Sequence, residues 1–96
     1  IPYFLVGHVG DDNFHFGYLI DPNDVGERER AERLNHQLVT RALAMGGTCT
    51  GEHGVGIHKM GFLLDEAGAG AVDMMRAIKR ALDPQNILNP GKIFTL

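Results

Sequence analysis

Two short apolar runs near the start of the chain flank a polar tetrapeptide. Residues 3–8 and 14–20 are rich in aromatic and branched aliphatic side chains, and "GDDN" lies between them. Gly, Asp and Asn suit the positive φ angles of a tight turn, so the pattern predicts a β-hairpin. A turn centred on the two aspartates places His8 directly opposite His15, with both imidazoles on one face.

The next segment has the periodicity of an amphipathic helix. Asp24 is placed to cap it, Glu27 follows at the capping-box spacing, and a Gly-Gly pair ends it, so we expect a helix over residues 25–45. Its apolar positions recur at steps of three and four residues, as one buried stripe requires. They are Ala31, Leu34, Leu38, Ala42 and Met45.

The second half predicts a short strand at "TCT", residues 48–50, and a loop at the glycine-rich "GEHGVG". Apolar positions from Ala71 to Leu82 then predict a second long helix, which Asp83-Pro84 ends. A turn is expected at "NPG" in the tail. This order favours an α+β fold, in which a small antiparallel sheet has helices on one face.

Composition narrows the class of protein. Ninety-six residues suit a single domain, 1–96, and a net charge of −3 gives no basic face for nucleic acid. No apolar run approaches the roughly 20 residues of a membrane span. The single Cys49 fits a reducing, cytoplasmic compartment. Because the chain opens on Ile1-Pro2 and not on Met, we expect a fragment of a longer protein.

His8 and His15 are the first candidates for chemistry. Imidazole is a common metal ligand, and two on one face need only a third donor for a three-ligand site with an open position. Glu52 is the favoured third donor, because its flanking glycines let the loop approach the hairpin. Asp11 and Asp12 compete, although side chains at a turn more often bond the turn backbone. This donor set favours Zn²⁺, with Mn²⁺, Fe²⁺ or Co²⁺ as alternatives.

His53 directly follows Glu52 in the same loop. An imidazole beside a metal ligand is suited to take a proton near neutral pH, so His53 is the candidate base. A supporting hydrogen bond to the metal site is the alternative role. Cys49 has no basic neighbour that would activate it as a nucleophile, and the loop glycines lack the spacing of a dinucleotide-binding fingerprint.

Three motifs, in this order, resemble one family. "GHVGDDNFH", "GTCTGEHGVG" and "IKRALDPQNILNPGKIF" are similar to the C-terminal part of FAD-linked oxidases of the vanillyl-alcohol oxidase type. The branch they resemble contains D-lactate dehydrogenases, the glycolate oxidase flavin subunit and D-2-hydroxyglutarate dehydrogenase. The resemblance implies a C-terminal fragment of a ferredoxin-like substrate or cap domain. It also implies that most of the FAD lies in an N-terminal FAD-binding domain absent from this chain.

The resemblance implies roles for individual residues. His8, His15 and Glu52 match the ligands of a divalent metal, and His53 matches the base beside the flavin. The expected reaction is oxidation of a D-2-hydroxy acid to the 2-oxo acid. The metal polarises the substrate hydroxyl, His53 takes its proton, and hydride passes to FAD. Some members of the wider superfamily have no metal, and in that alternative His8 and His15 bind the substrate carboxylate directly.

The terminal motif carries the remaining cofactor contacts. Asn89 and Lys92 match the segment that folds back towards the flavin domain, so the expected cofactor-binding residues are Asn89, Lys92 and Glu52. Asp12 replaces the usual glycine of "GDGN", and we expect a slightly strained turn and an intact site. Gly17 stands where some hydroxyglutarate-type members carry a polar residue, which leaves the substrate open.

Two other classes of function compete. One is a stand-alone metal-binding or interaction module without redox activity. The other is an iron oxygenase with two histidines and one carboxylate, which the shortness of the chain disfavours. If the chain is part of a flavin-dependent enzyme, we also expect an apolar surface where a second domain docks. Because that surface is uncovered in the isolated chain, we expect the isolated chain to self-associate.

Overall fold

The computed structural model describes residues 1–96, which divide into two compact units, Ile1–Met45 and Gly46–Leu96. Its three α-helices and two-stranded antiparallel sheet confirm the α+β class. None of the helices combines the length and the apolar character that crossing a membrane demands.

The predicted hairpin is present in the first unit. Strand β1 covers Tyr3–His8 and strand β2 covers Asn13–Tyr18, so β2 begins and ends earlier than its apolar run suggested. A 3₁₀ turn over Val9–Asp11 joins them. Asp12 follows with φ 56° and ψ 33°, the left-handed conformation expected for the residue that replaces glycine.

The predicted direct pairing of His8 with His15 is wrong. His8 lies opposite Asn13, and His15 lies opposite Val6. The 3₁₀ turn removes residues 9 and 10 from the ladder, whereas a two-residue turn would have kept them in it. The register therefore shifts by two residues, and an even shift leaves every side chain on its original face.

The two faces of the hairpin differ in chemistry. On one face the rings of Tyr3 and Phe16 stack with centroids 5.0 Å apart. The other, which we call the histidine face, carries Phe4, Val6, His8, Asn13, His15 and Gly17. All six residues of β1 are exposed, so the hairpin presents an apolar surface of the kind expected from the sequence.

Helix α1, Val25–Ala44, confirms the first helix expected from the sequence. The Asp24 carboxylate accepts the Glu27 N–H at 3.1 Å, as the predicted cap requires. The reciprocal bond of a capping box is not formed, because the Asp24 N–H donates to the Asp21 carbonyl and the Glu27 carboxylate accepts the N–H of Asp21, at 3.2 Å.

The predicted buried stripe is only partly confirmed, because Ala31 is buried whereas Leu34 and Met45 are exposed. Val39, which lies outside that stripe, is the other buried residue of the helix.

The second unit contains one helix more than predicted. Helix α2 covers Met60–Ala67 and helix α3 covers Ala69–Leu82, with Gly68 at φ 85° between them. The apolar residues of α2 are clustered and not periodic, and glycines lie within it and after it, so the sequence carries no helical pattern there. The two helices pack around Val72, which is 2% exposed.

The predicted strand at residues 48–50 is absent. The N–H of Cys49 donates to the Glu66 carboxylate on α2, at 2.6 Å, and not to a neighbouring strand. A side chain of the helix thus satisfies the backbone group that a strand ladder would have used.

Candidate functional site

The two hairpin histidines lie close together on the histidine face. Their ring centroids are 6.1 Å apart with the ring planes at 80°, and a ring nitrogen of His8 lies within 4.8 Å of one of His15. They are diagonal neighbours across the two strands, because the cross-strand pair Gly7–Phe14 lies between the pair that contains His8 and the pair that contains His15. The strand period thus brings together the two nitrogens that the sequence predicted, although through a different register.

The turn of the hairpin supports this placement. The side chain of Asn13 accepts the N–H of His8 at 3.3 Å, and the N–H of Asp12 donates to the Val9 carbonyl at 3.1 Å. Neither Asp11 nor Asp12 lies in a cluster of three metal-ligating side chains. The structure therefore gives no support to these two aspartates as ligands.

In the second unit, Glu52 and His53 occupy the centre of a β-turn. The N–H of Gly54 donates to the carbonyl of Gly51 at 3.4 Å, which closes the turn around them. Gly54 has φ 78°, a conformation that a side chain would strain. Both central side chains are exposed, 49% for Glu52 and 73% for His53, and Glu52 Oε1 lies 3.8 Å from His53 Nε2.

Polar contacts anchor the chain just before this turn. The Cys49 N–H and the Thr48 side chain lower the pKa of Glu66 by donating hydrogen bonds to its carboxylate. Burial, and then the nearby charge of Glu66, raises the pKa of Cys49. Cys49 is therefore a protonated thiol at neutral pH, as its sequence context suggested.

Helix α3 and the residue that caps it organise the tail. The Asp83 carboxylate is 6% exposed, pairs with the ammonium of Lys79, and accepts the N–H groups of Ile87 at 3.1 Å and Leu88 at 2.9 Å. These bonds, led by that from Lys79, hold the pKa of Asp83 at about 2. Lys79 also donates to the Leu88 carbonyl, at 2.5 Å. The start of the "NILNPGK" segment is thereby fixed to the helix.

The tail contacts the loop that follows the Glu52–His53 turn. The N–H of Ile93 donates to the carbonyl of Gly56 at 2.7 Å. Asn89 and Lys92 precede this contact and are both exposed, and Asn89 has φ 45°. The second unit therefore brings the two segments that carry the predicted base and the predicted flavin contacts next to each other.

Sequence reasoning missed four polar residues that position these segments. Asp83 was recognised only as the end of a helix, although an Asp before a turn commonly caps the backbone amides that follow. Lys79 lies four residues before Asp83 on α3, a spacing that could have indicated their ion pair. Thr50 and Glu66 bond to backbone groups of the loop, and the hydrophobic pattern gives no signal for them.

A family model described as the C-terminal domain of FAD linked oxidases matches residues 1–93. The chain is 52% identical over 89 residues to "D-lactate dehydrogenase (cytochrome), mitochondrial" of Arabidopsis thaliana, covering 93% of this chain and 16% of that protein. It is 51% identical over 90 residues to "D-lactate dehydrogenase (cytochrome) 1, mitochondrial" of Saccharomyces cerevisiae, covering 94% of this chain and 15% of that protein.

The third similarity is to a protein that is named for a different activity. The chain is 44% identical over 88 residues to "Glycolate oxidase subunit GlcD" of Bacillus subtilis, covering 92% of this chain and 19% of that protein. The chain thus spans less than a fifth of the length of the curated relatives it matches. The family match covers all the predicted site residues, and the chain belongs to the C-terminal domain family of FAD linked oxidases.

Proposed function

We propose that this chain forms the substrate side of a flavin-dependent dehydrogenase that oxidises a D-2-hydroxy acid to the corresponding 2-oxo acid. Most of the FAD is bound by a separate N-terminal domain, and the substrate is a small molecule. The proposal is supported by the family match and by relatives named as D-lactate dehydrogenases and a glycolate oxidase subunit. Lactate and glycolate are both 2-hydroxy acids.

The donor set fits a divalent metal. His8, His15 and Glu52 each offer one atom of the kind that ligates Zn²⁺, and three protein ligands leave a position for substrate. The observation that carries the proposal is the pair of ring nitrogens within 4.8 Å on one face of the hairpin. We assign Glu52 as the third ligand because it is an exposed carboxylate at the centre of a turn.

The chemistry divides between the bound groups and the protein. When bound, Zn²⁺ supplies Lewis-acid polarisation of the substrate hydroxyl, and FAD supplies a hydride acceptor. His53 takes the hydroxyl proton on a ring nitrogen, and its Nε2 lies 3.8 Å from Oε1 of the proposed metal ligand Glu52, so the base stands directly beside that ligand. Asn89 and Lys92, which are exposed in the tail, are the residues that would contact the flavin.

The test uses the full-length protein with a panel of D-2-hydroxy acids. Purified protein is assayed for bound FAD, for bound metal by elemental analysis, and for 2-oxo acid produced from D-lactate, glycolate and D-2-hydroxyglutarate. We expect stoichiometric FAD and metal, turnover of at least one of these acids, and loss of turnover when a chelator removes the metal. A protein that binds metal and neither holds FAD nor oxidises any hydroxy acid would support the stand-alone metal module instead.

A further inference from the structure

We propose that Thr50 is a positioning residue that fixes the turn carrying Glu52 and His53, through a hydrogen bond from its hydroxyl to the carbonyl of Gly54. The functional part of this inference rests on the proposed roles of Glu52 and His53. The hydrogen bond itself does not.

The turn is weakly closed by its own backbone. The bond from the Gly54 N–H to the Gly51 carbonyl is 3.4 Å long, well beyond the usual 2.9–3.0 Å of such bonds. Thr50 Oγ1 lies 2.7 Å from the Gly54 carbonyl oxygen, a normal length for a hydroxyl donor. The short bond that closes this segment therefore comes from a side chain, and it spans the two residues proposed to do chemistry.

The hydroxyl of Thr50 is itself oriented from the other side. Lys59 Nζ lies 3.5 Å from Thr50 Oγ1 and is placed to donate to it, so the single hydroxyl proton is left for a carbonyl. The Gly51 carbonyl is the competing acceptor, but it is 3.5 Å away. The Thr50 hydroxyl is 0.8 Å closer to the Gly54 carbonyl oxygen than to that of Gly51, so the bond to Gly54 is the favoured one.

The position of Glu52 and His53 depends strongly on this backbone. Both side chains are about half exposed or more, so packing restrains them less than it restrains a buried group. On the N-terminal side, Glu66 fixes the chain at Cys49, one residue before Thr50. Thr50 extends that anchor across the turn, and it thereby sets where a carboxylate and an imidazole point.

The experiment compares two substitutions in the full-length protein. Thr50→Val keeps the size and branching of the side chain and removes the donor, whereas Thr50→Ser keeps the donor. Three quantities are measured: the Zn²⁺ dissociation constant by competition with a chromophoric chelator, kcat and KM separately, and amide hydrogen exchange at Gly54. Thr40→Val, on the exposed surface of α1, is the matched control.

We expect Thr50→Val to weaken Zn²⁺ binding by about 10-fold, within the range seen when a residue supporting a metal ligand is lost. Exchange at Gly54 should quicken, kcat should fall more than KM rises, and FAD content should stay unchanged. Thr50→Ser should remain within about 3-fold of the unmodified protein in Zn²⁺ affinity, as should Thr40→Val. Should Thr50→Val fail to fold, Thr50→Ala removes the same donor without a second methyl group and is judged by the same criteria.

Unchanged Zn²⁺ affinity and unchanged exchange in Thr50→Val overturn the inference. So does a Thr50→Ser variant as impaired as Thr50→Val, because the methyl group and not the hydroxyl would then matter. An unmodified protein that binds no Zn²⁺ contradicts the metal assignment of the proposed function. Thr50 is then judged by kcat and by exchange at Gly54, and unchanged values of both reject it.

Discussion

The hairpin and the turn-and-tail region hold their candidate residues by different kinds of interaction. His8 and His15 are placed by a backbone ladder, in which the pairing of two six-residue strands decides the face of every side chain. In the second unit, side chains bond to backbone groups: Thr50 to a turn, Glu66 to the chain before it, and Asp83 to the tail.

The difference indicates how well each set of candidate residues tolerates substitutions around it. A ladder distributes its restraint over many bonds, and its period of two keeps a side chain on one face through an even shift of register. A turn fixed by single polar side chains has no such redundancy, because each bond has one donor and one acceptor. We therefore expect the hairpin to tolerate side-chain changes that spare its backbone, and the second unit to be sensitive to conservative polar substitutions.

The largest expected effect comes from removing one proposed ligand from each unit. His8→Ala and Glu52→Gln, made in the full-length protein, should each weaken metal binding by at least about 100-fold, beyond the 10- to 100-fold typical for a supporting residue. Dehydrogenase turnover should fall with the metal, and FAD should remain bound, because the flavin is held mainly elsewhere. Elemental analysis, flavin absorbance and turnover measure the three quantities.

His36→Ala is the control for these two variants, because His36 lies on α1 and has no proposed role. It should retain metal, FAD and turnover. If His8→Ala loses FAD and keeps the metal, the assigned roles are wrong. If only one of the two ligand variants loses the metal, the residue changed in the other variant is not a ligand.

The sequence predicted what depends on periodicity and missed what depends on individual contacts. Alternating positions placed His8 and His15 on one face, and the three- and four-residue steps with the Asp24 cap predicted α1. The register was missed because a 3₁₀ turn cannot be distinguished from a two-residue turn in "GDDN" by composition. Thr50 was missed because composition does not show which carbonyl of a loop a hydroxyl bonds, and Glu66 because its bond to Cys49 exists only once the loop has folded against α2.

A smaller effect on stability should distinguish a steric clash with the backbone of the hairpin from a clash with one of its side chains. A Cβ added at Gly7 would lie 2.6 Å from the backbone oxygen of Asn13, whereas one added at Gly17 would lie 2.1 Å from the ring of Phe4. The strand backbone cannot yield without breaking the ladder, but the Phe4 ring is 49% exposed and can rotate away. Gly7→Ala should lower the free energy of unfolding by about 2–3 kcal/mol, and Gly17→Ala by less than about 1 kcal/mol.

Denaturant unfolding of the two variants measures this difference. The result also bears on the substrate question, because a polar side chain at position 17 requires the same movement of Phe4. Equal destabilisation by both substitutions would show that side-chain packing on the histidine face matters as much as the ladder. The backbone ladder would then not be the dominant restraint in the hairpin.

The smallest effect is a change in melting difference at acid pH, and it tests the polar restraints of the second unit. The pKa of Asp83 is held at about 2, below the ordinary value of 3.8, first by Lys79 and then by the amides of Leu88 and Ile87. Because the folded-state pKa is the lower one, the stabilisation is present above about pH 4 and is lost as the pH falls towards 2. Asn at position 83 cannot ionise, so the melting temperature of Asp83→Asn should lie below that of the unmodified chain by a constant margin from pH 7 to pH 5. That margin should shrink between pH 4 and pH 2, where Asp83 in the unmodified chain becomes neutral as well.

The other carboxylates titrate in both proteins, so their effects cancel in the difference when they do not contact Asp83. A margin that stays constant down to pH 2 would mean that the charge of Asp83 contributes nothing, and that shape alone fixes the tail to α3.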